Sequence, residues 1–521
     1  MSEHDRENQP PEELPADASA DGGETPSLEP PEPTSAPAAP LPAETETVVY
    51  EASGSKAGKV IVAALLILAL GTVGTIVFLN NSGATDPAAA RVPRTTDLFV
   101  QVTLEPSIEQ QRAVRDFADR LPGGREMAED LVDNALRQMF EGAPGGLTYQ
   151  EVEPWLGAQI AVAVQDLNDA ENTAVVLLQS DDDQAAEESL KKLPDSETAT
   201  EVSKGWAYIA ANQGAIGRLQ QDASNDPLIR DRAFQQQRGK VGGDGIVLVR
   251  LDPRSLTEQR SFGLDLGTLG TNDPGVLGIR MADEGIVLTG VGTAALRGTS
   301  GIPALMDAAP GSTLGAISFF DLAEVIRQVA PAFEQEAGTE PDALLQQFGL
   351  SLEDDFLSWL GGETAIIVGD PQIGEFAAII DATDPDAMTA TLKKLRSLAA
   401  IAGAASEDLS LKGPDDDMVL TIEGNRVRIK TDGSRLIVSP SPGYVDEILD
   451  PASTLAAGPM YKRLLPGGTE VAAQGFVNFD AIRNLIPDEA APFFAVFDGF
   501  AMRSRYESGD QIFTMTLAYA E

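Results

Sequence analysis

Cysteine is absent from the 521 residues, and histidine occurs once, at His4. Without thiols the chain has no disulfide, thiolate zinc site, iron–sulfur cluster or cysteine nucleophile. With its one imidazole near the N-terminus, it offers a folded region no Ser-His-Asp triad, histidine base or histidine-ligated metal. Basic residues are also scarce: 37 Lys and Arg stand against 81 Asp and Glu, a formal charge of −44. Such a surface repels nucleic acid and anionic head groups over most of its area, so nucleic acid is not an expected partner. No cofactor and no metal is expected, and the absence of cysteine fits an extracytoplasmic bacterial protein.

Aromatic residues are nearly missing from residues 1–55, where Pro, Glu, Ala, Ser and Thr dominate, as in EPPEPTSAPAAPLPAETET from Glu29 onward. That composition buries too little apolar surface to offset its ordering entropy, which makes residues 1–55 a disordered, acidic, Pro-rich tail. The opposite extreme follows. VIVAALLILALGTVGTIVFL begins at Val60, ends at Leu79 and contains no charge. At about 1.5 Å per residue it matches a hydrocarbon core of about 30 Å, so residues 56–80 read as a transmembrane helix with a lysine flank, making the lipid bilayer one partner. Lys56 and Lys59 lie closer to the span than Arg91 and Arg94 do. This favours a cell-membrane protein with its N-terminus cytoplasmic and its C-terminal region extracytoplasmic.

Beyond a linker at residues 81–93 the chain repeats itself. GLTYQEVEPWLGAQIAVAV and GLSLEDDFLSWLGGETAIIVG share Trp155-Leu156-Gly157 and Trp359-Leu360-Gly361, 204 positions apart. Downstream, VVLLQSDDDQAAEESLKKL and AAIIDATDPDAMTATLKKL each read as an apolar strand, an Asp-rich turn and an amphipathic helix. Asp384 before Pro385 is the expected N-cap of the second helix, and Ser180 or Asp181 that of the first. Lys191-Lys192 and Lys393-Lys394 are expected in the last helical turn, where cations complement the helix dipole. GVLGIRMADEGIVLTGVG and GFAMRSRYESGDQIFTMTLAY carry hairpin patterns. A strand followed by Asp or Pro and a short helix recurs at LFVQVTLEP, IVLVRLDP, LGAISFFD and AQGFVNFD. Together these predict an α+β class: a tandem duplicated domain of antiparallel sheet covered by helices, with copies at residues 94–308 and 309–521 and a boundary near the AAPG turn.

The pattern of Trp-Leu-Gly before an alternating strand, followed by strand, Asp-rich turn, helix and Lys-Lys-Leu, resembles the bacterial domain-of-unknown-function family 3352. The resemblance is carried by Trp155-Leu156-Gly157, residues 181–193 and their second-copy counterparts. It implies a membrane-anchored protein with a leading span, and it implies no established activity or catalytic residue. The motif residues themselves read as structural, the tryptophans as core anchors and the glycines as turns into the next strand.

Several local patterns resemble chemistry. Gly290-Val291-Gly292-Thr293-Ala294-Ala295 matches a loose dinucleotide fingerprint, but Gly298 and Pro303 leave little room for the helix that must follow, so a strand-end turn is expected. Ser189-Leu190-Lys191-Lys192 is an SxxK on an ordinary amphipathic helix, and its second-copy equivalent begins with Thr391. Asp181-Asp182-Asp183, Asp354-Asp355, Asp381 with Asp384 and Asp386, and Asp415-Asp416-Asp417 are hard oxygen ligands suited to calcium. None has EF-hand spacing, and helix caps and solvated turns explain them more simply. A carboxylate pair drawn from distant positions would leave no local signature. The expectation is therefore a membrane-anchored envelope protein that binds or scaffolds a protein, lipid or glycan partner without catalysis, with no catalytic residue assigned. The alternatives are a carboxylate- or metal-dependent envelope hydrolase and a lipid carrier.

Overall fold

The computed structural model describes residues 88–121, 124, 137, 140, 147–193, 198–243, 245–256, 273–293, 299–337, 341–405, 409–483 and 494–520. The chain divides into two units, Met1–Glu51 and Ala52–Glu521. The first lies wholly outside the described residues, as does the apolar segment bounded by Val60 and Leu79. Among the described residues no helix is long and apolar enough to cross a membrane.

The second unit is α+β, built on one large antiparallel sheet with helices packed on it. Its first eight strands are β1 (Leu98–Thr103), β2 (Leu156–Val164), β3 (Ala174–Ser180), β4 (Ala199–Val202), β5 (Trp206–Ala210), β6 (Val247–Leu251), β7 (Gly275–Ala282) and β8 (Gly285–Thr293). They pair in the order β4-β5-β3-β2-β1-β6-β7-β8. The remainder are β9 (Gly315–Phe320), β10 (Glu363–Val368), β11 (Phe376–Asp381), β12 (Leu409–Lys412), β13 (Asp417–Ile422), β14 (Asn425–Asp432), β15 (Arg435–Ser439), β16 (Ala473–Asn478), β17 (Phe497–Glu507) and β18 (Asp510–Tyr519). They pair as β12-β13-β14-β15-β11-β10-β9-β16-β17-β18. Apart from the added β12–β13 pair at the edge, the second order follows the first strand for strand. The four short strand-helix patterns of the sequence form two adjacent pairs, β1 with β6 and β9 with β16.

What unites the two runs is β8 against β18, paired antiparallel from Thr293↔Asp510 to Gly285↔Ala518. The β7–β8 hairpin closes at Ala282↔Gly285 and the β17–β18 hairpin at Glu507↔Asp510. Counted from those turns, Thr289 and Thr514 occupy the same position, and they pair with each other. A local two-fold axis therefore passes between them. The second hairpin turns on Ser508-Gly509, with φ of +56° and +90°, the left-handed pair that matches the twist of its flanking strands. Gly285 is required by proximity: a Cβ there would lie 2.1 Å from the Leu517 carbonyl oxygen across the seam.

Helices cover both faces. In the first half α1 (Ile108–Arg120), α2 (Tyr149–Val152) and α3 (Asp183–Leu190) contribute to one core with Trp155, while α4 (Gln213–Asn225) and α5 (Arg232–Val241) contribute to the other with Trp206. The amphipathic face of α1 puts Ala113, Val114, Phe117 and Ala118 into the core. There Phe117 stacks on Phe497 and Tyr519 of the second half at 6.1 and 5.5 Å, each pair adding about 0.5–1.5 kcal/mol beyond burial. In the second half α6 (Ala304–Ala308), α9 (Pro442–Leu449) and α10 (Pro459–Leu464) line one face. The other face carries Trp359 with α7 (Leu322–Ala337) and α8 (Pro385–Ala405).

Two local expectations need correction. The first Asp-rich helix is capped by Asp182, whose carboxylate accepts from the backbone N–H of Gln184 and Ala185 at 3.0 Å, because β3 runs through Ser180 and the Asp181 amide is bonded to the Trp155 carbonyl. Nor do the lysine pairs occupy a last turn. Lys191 is the C-cap residue of α3, which ends ahead of Pro194, whereas α8 continues to Ala405 and carries Lys393 and Lys394 in its interior. The predicted cap at Asp384 is present, accepting from Asp386 and Ala387 at 3.1 and 3.0 Å.

If the seam holds the two runs together, Gly285→Ala should lower unfolding free energy by about 1–3 kcal/mol, because the new methyl meets backbone rather than a movable side chain. Alanine at Asp510, the same hairpin position in the second run, should cost markedly less. Denaturant titration of both variants measures this, and equal losses would contradict it.

Candidate functional site

The Trp-Leu-Gly motifs build the same latch twice. The Trp155 indole Nε1 donates to the Glu151 carbonyl at 2.9 Å, and the Ser189 hydroxyl donates to that carbonyl at 2.8 Å. In the second half Trp359 and Thr391 donate to the Asp355 carbonyl at 2.7 and 2.5 Å. Both tryptophans are buried, and their own carbonyls receive the Asp181 and Thr383 amides at 3.0 Å. Leu360 joins the core beside Trp359, while Leu156 packs partly buried against the first. Gly157 faces the Asp181 carboxylate and Gly361 the Thr383 side chain, each leaving room at the start of its strand. The SxxK hydroxyl is thus spent on a carbonyl rather than aimed at a substrate.

The acidic clusters disperse into caps and ion pairs. Asp355 is buried, paired with Lys394 at 2.5 Å, and that hydrogen bond holds its carboxyl below the usual range. Asp381 accepts from Ser434 at 2.6 Å. Asp415 pairs with Arg396, Asp416 with Lys430, and Asp417 with Arg428 in a two-pronged contact. Among the described residues no group of three or more acidic side chains converges to hold a metal. Gly290 and Gly292 lie inside β8, paired with Phe513 and Gln511, so this part of the fingerprint is strand; Ala294 and Ala295 lie outside the described residues.

A different place distinguishes the halves. The segment leading into β1 bonds to the segment before α5, Leu228 N to Val92 O at 2.8 Å and Arg94 N to Asp226 O at 2.9 Å. The segment leading into β9 repeats this, Leu455 N to Ala309 O and Gly311 N to Ser453 O, both at 2.7 Å. Bridges Pro93↔Pro227 and Pro310↔Thr454 correspond, as do the Asp252–Asp97 and Asn478–Leu314 backbone bonds at 2.8 Å. The frame is common, but its filling is not.

In the first half Arg250, paired to Phe99 on β1, turns inward and is 3% exposed. Its guanidinium donates to the Thr96 carbonyl. Burial lowers its pKa, opposed by Asp252, Asp231 and Asp97. In the second half the corresponding strand position, paired to Ala316, is Phe476. Phe476 is itself buried, edge-to-face on Tyr461 at 5.3 Å, and beside it lies a cleft of about 660 Å³ lined by Thr313, Thr454, Tyr461, Phe476, Asn478, Asp480, Arg483 and Asp498 among others, within the size range of small-ligand sites. Asp498 is held by Arg463 at 2.9 Å, and Asp480 by Arg483 at 2.6 Å. Asn478 sits at the N-terminus of α11 (Phe479–Ile482), accepting from Ala481 N at 3.2 Å.

Behind the cleft lies a buried polar chain. Glu363, 4% exposed, accepts from the Leu305 and Met306 amides at the start of α6, at 2.8 and 3.3 Å, and from Ser318 at 2.6 Å. Gln474 donates to the Tyr461 hydroxyl at 3.0 Å, which donates to Asp307 at 2.7 Å. In the first half Gln159 takes the place of Glu363, its carbonyl accepting from Ala88 N at 3.4 Å. Arg250, Glu363 and Phe476 were not singled out as site residues from the sequence. The available signal was Arg250 sharing a strand face with apolar Leu248, against Phe476 at the same place in AQGFVNFD.

No protein-family model matches the chain, and no curated protein matches it either. Among solved structures, crystal form I of TP0453 is matched at 7% identity and a TM-score of 0.24, over 42% of this chain and 79% of that one. Crystal form III is matched at 8% identity and 0.21, over 40% and 80%. At such scores the likeness carries no argument.

Burial raises the Glu363 pKa, against the hydrogen bonds from Leu305, Ser318 and Met306. A carboxyl whose folded-state pKa lies above its unfolded value contributes most below the unfolded pKa, and that contribution is lost as pH rises through the folded pKa. Glu363→Gln, which copies Gln159, should therefore gain stability relative to the native chain as pH rises from 4 to 8, by on the order of 1 kcal/mol. Melting curves across that range measure it; parallel pH profiles would contradict it.

Proposed function

We propose that this chain is a membrane-tethered binding protein rather than an enzyme. In this reading a duplicated α+β unit forms its outer part, with the first copy acting as scaffold and the second as receptor. The observation that carries the reading is the difference within a common frame: the second half has a cleft of about 660 Å³ beside Phe476, whose first-half equivalent is the buried Arg250 bonded to the Thr96 carbonyl. Duplication is supported by the matching strand orders and by the two latches. The tether is supported by the uncharged stretch from Val60 to Leu79, and the disordered tail by its composition. The resemblance to the domain-of-unknown-function family 3352 is consistent with such a setting. A carboxylate-dependent hydrolase is the weaker reading, since Asp182, Asp355, Asp381, Asp384, Asp415, Asp416 and Asp417 are engaged in caps, ion pairs and local hydrogen bonds.

A lipid-carrying variant of this function has one observation of its own. Ile317 and Ile366 face each other on β9 and β10 and are 37% and 43% exposed, whereas the corresponding Val100 and Val162 are 1% and 3% exposed. Phe376 on the neighbouring β11 is also exposed. An uncovered apolar strip of this kind suits an acyl chain. Mass spectrometry of material extracted from the purified protein distinguishes the variant, and Ile366→Asp should remove any lipid found.

The principal test uses Asp480→Arg, which changes an exposed carboxylate of the cleft lining and leaves the core beneath it intact. Affinity capture from solubilised membranes with the native chain should yield a reproducible ligand or partner that the Asp480→Arg chain loses while its melting temperature is retained. Identical captures would overturn the reading. Protease treatment of intact cells should digest residues 94–521 and spare the tail; the reverse pattern would overturn the orientation.

A further inference from the structure

Deepening the lipid-carrying variant and resting on the tether proposed above, we propose that the second half seats one acyl chain of an uncharged or zwitterionic glycerolipid taken from the bilayer, laid across β11, β10, β9, β16 and β17. By register these strands carry one apolar row: Ala378, Ile366, Ile317, Gly475 and Met502. The matching row of the first half is Val176, Val162, Val100, Val249 and Leu277. There the row is roofed. Thr103 pairs with Gln159 and Phe320 with Glu363, so the connections between them are residues 104–158 and 321–362, the second thirteen residues shorter. The longer one puts Phe117, Phe140 and Tyr149 into the core that holds Val100 and Val162. In the shorter one Leu344 and Phe348 are exposed, and Ile317 and Ile366 stay uncovered. Val249 is replaced by Gly475 and Val176 by Ala378, which lowers the floor. Met502 lies over Gly475, and its flexible thioether adapts to irregular apolar shapes.

Dimensions and chemistry select a lipid over a protein segment. Five strands about 4.8 Å apart give a floor about 19 Å long, and an acyl chain spans one leaflet, about half of a 30 Å hydrocarbon core. The row is narrow: Gly315 and Val368 on one side and Phe319 and Thr364 on the other are partly or fully buried. Rows on one face lie about 6.8 Å apart, so a partner helix about 10 Å across would need more than this one. Thr364 borders the row where the first half has Ile160, and its buried hydroxyl has no hydrogen-bond partner among the described residues. An ester carbonyl can accept from it, which apolar side chains of a protein cannot. The eight residues from Asn80 to Pro87 separate the uncharged stretch from Ala88 and reach at most about 29 Å, so the tether keeps the sheet close to lipid. A net charge of −44 disfavours an anionic head group.

The experiment reconstitutes the full chain in phosphatidylcholine vesicles containing a trace of phosphatidylcholine with a diazirine in one acyl chain, and maps the photolabel by peptide mass spectrometry. Label is expected on the strands carrying Ile317, Ile366 and Met502, as well as on residues 56–80. Ile317→Asp and Ile366→Asp, both at exposed positions, should each lower the strand label at least about tenfold, with the label on residues 56–80 unchanged as internal control. Thr364→Val should lower it on the order of threefold, the loss of one hydrogen bond; no change would overturn the ester contact. The same diazirine chain on phosphatidylglycerol should label the strands less, and equal labelling would overturn the head-group assignment. Label confined to residues 56–80 would overturn the proposal, and a loss of self-association in Ile366→Asp would then assign the face to a second copy. If Asp480→Arg still changes the captured material in that case, the binding-protein reading stands; with identical captures, both fall.

Discussion

Nine residue pairs join β8 to β18, from Thr293↔Asp510 to Gly285↔Ala518, and this antiparallel seam makes one sheet of two sets of strands. An outermost strand with unpaired backbone groups is a standing hazard for association between chains. Here each run resolves it with the other run's equivalent strand. Because the equivalents pair antiparallel about Thr289 and Thr514, the arrangement has the form of a two-fold dimer interface contained within one chain. Gly285 is a consequence of the seam, as its missing side chain lets the Leu517 carbonyl approach. So is the core beneath it, where Phe117 from one half rests on Phe497 and Tyr519 from the other.

Once the halves are fused in this way, one can support the fold while the other changes. The contrast between Arg250 and Phe476 is of this kind. Burying a guanidinium carries a large desolvation cost unless hydrogen bonds and carboxylates compensate it, and the first half provides the Thr96 carbonyl and three aspartates. The second half dispenses with both the cation and those aspartates, and keeps the backbone frame. Gln159 and Glu363 differ in the opposite sense, a neutral cap in the first half and a buried carboxyl in the second. That carboxyl is held by two amides and a serine hydroxyl beside the polar chain leading to Tyr461, whose hydroxyl pKa is raised by burial and by Asp307.

Hairpins, the alternating strands and the repeated Trp-Leu-Gly were legible because each is encoded within a few neighbouring residues. Turn residues at Ser508-Gly509 and a period of two are local signals. The cap at Asp384 was legible for the same reason, with Pro385 marking the first helical turn. Asp182 was not, since the length of β3 is decided by the Trp155 carbonyl rather than by its own sequence. The long α8 was misjudged because Lys393 and Lys394 resemble a helix end locally, while Lys394 actually answers Asp355 from the preceding π-helical turn at Leu352–Leu357. The cleft was the least visible feature. Its walls come from the lead-in to β9, α10, β16 and the ends of β17 and β18, and its significance depends on comparing Phe476 with a side chain in the other half.

The seam is most directly tested by a pair of introduced cysteines, which a chain without cysteine makes unambiguous. Combining Thr289→Cys with Thr514→Cys places two thiols directly across β8 and β18, within the Cα separations that a disulfide spans. Combining Thr289→Cys with Phe513→Cys puts them on opposite faces of the sheet. The account predicts rapid intramolecular oxidation of the first pair, with the fold retained, and none of the second. Oxidation of both pairs alike, or disulfides formed only between chains, would contradict the shared sheet on which the rest of the structure depends.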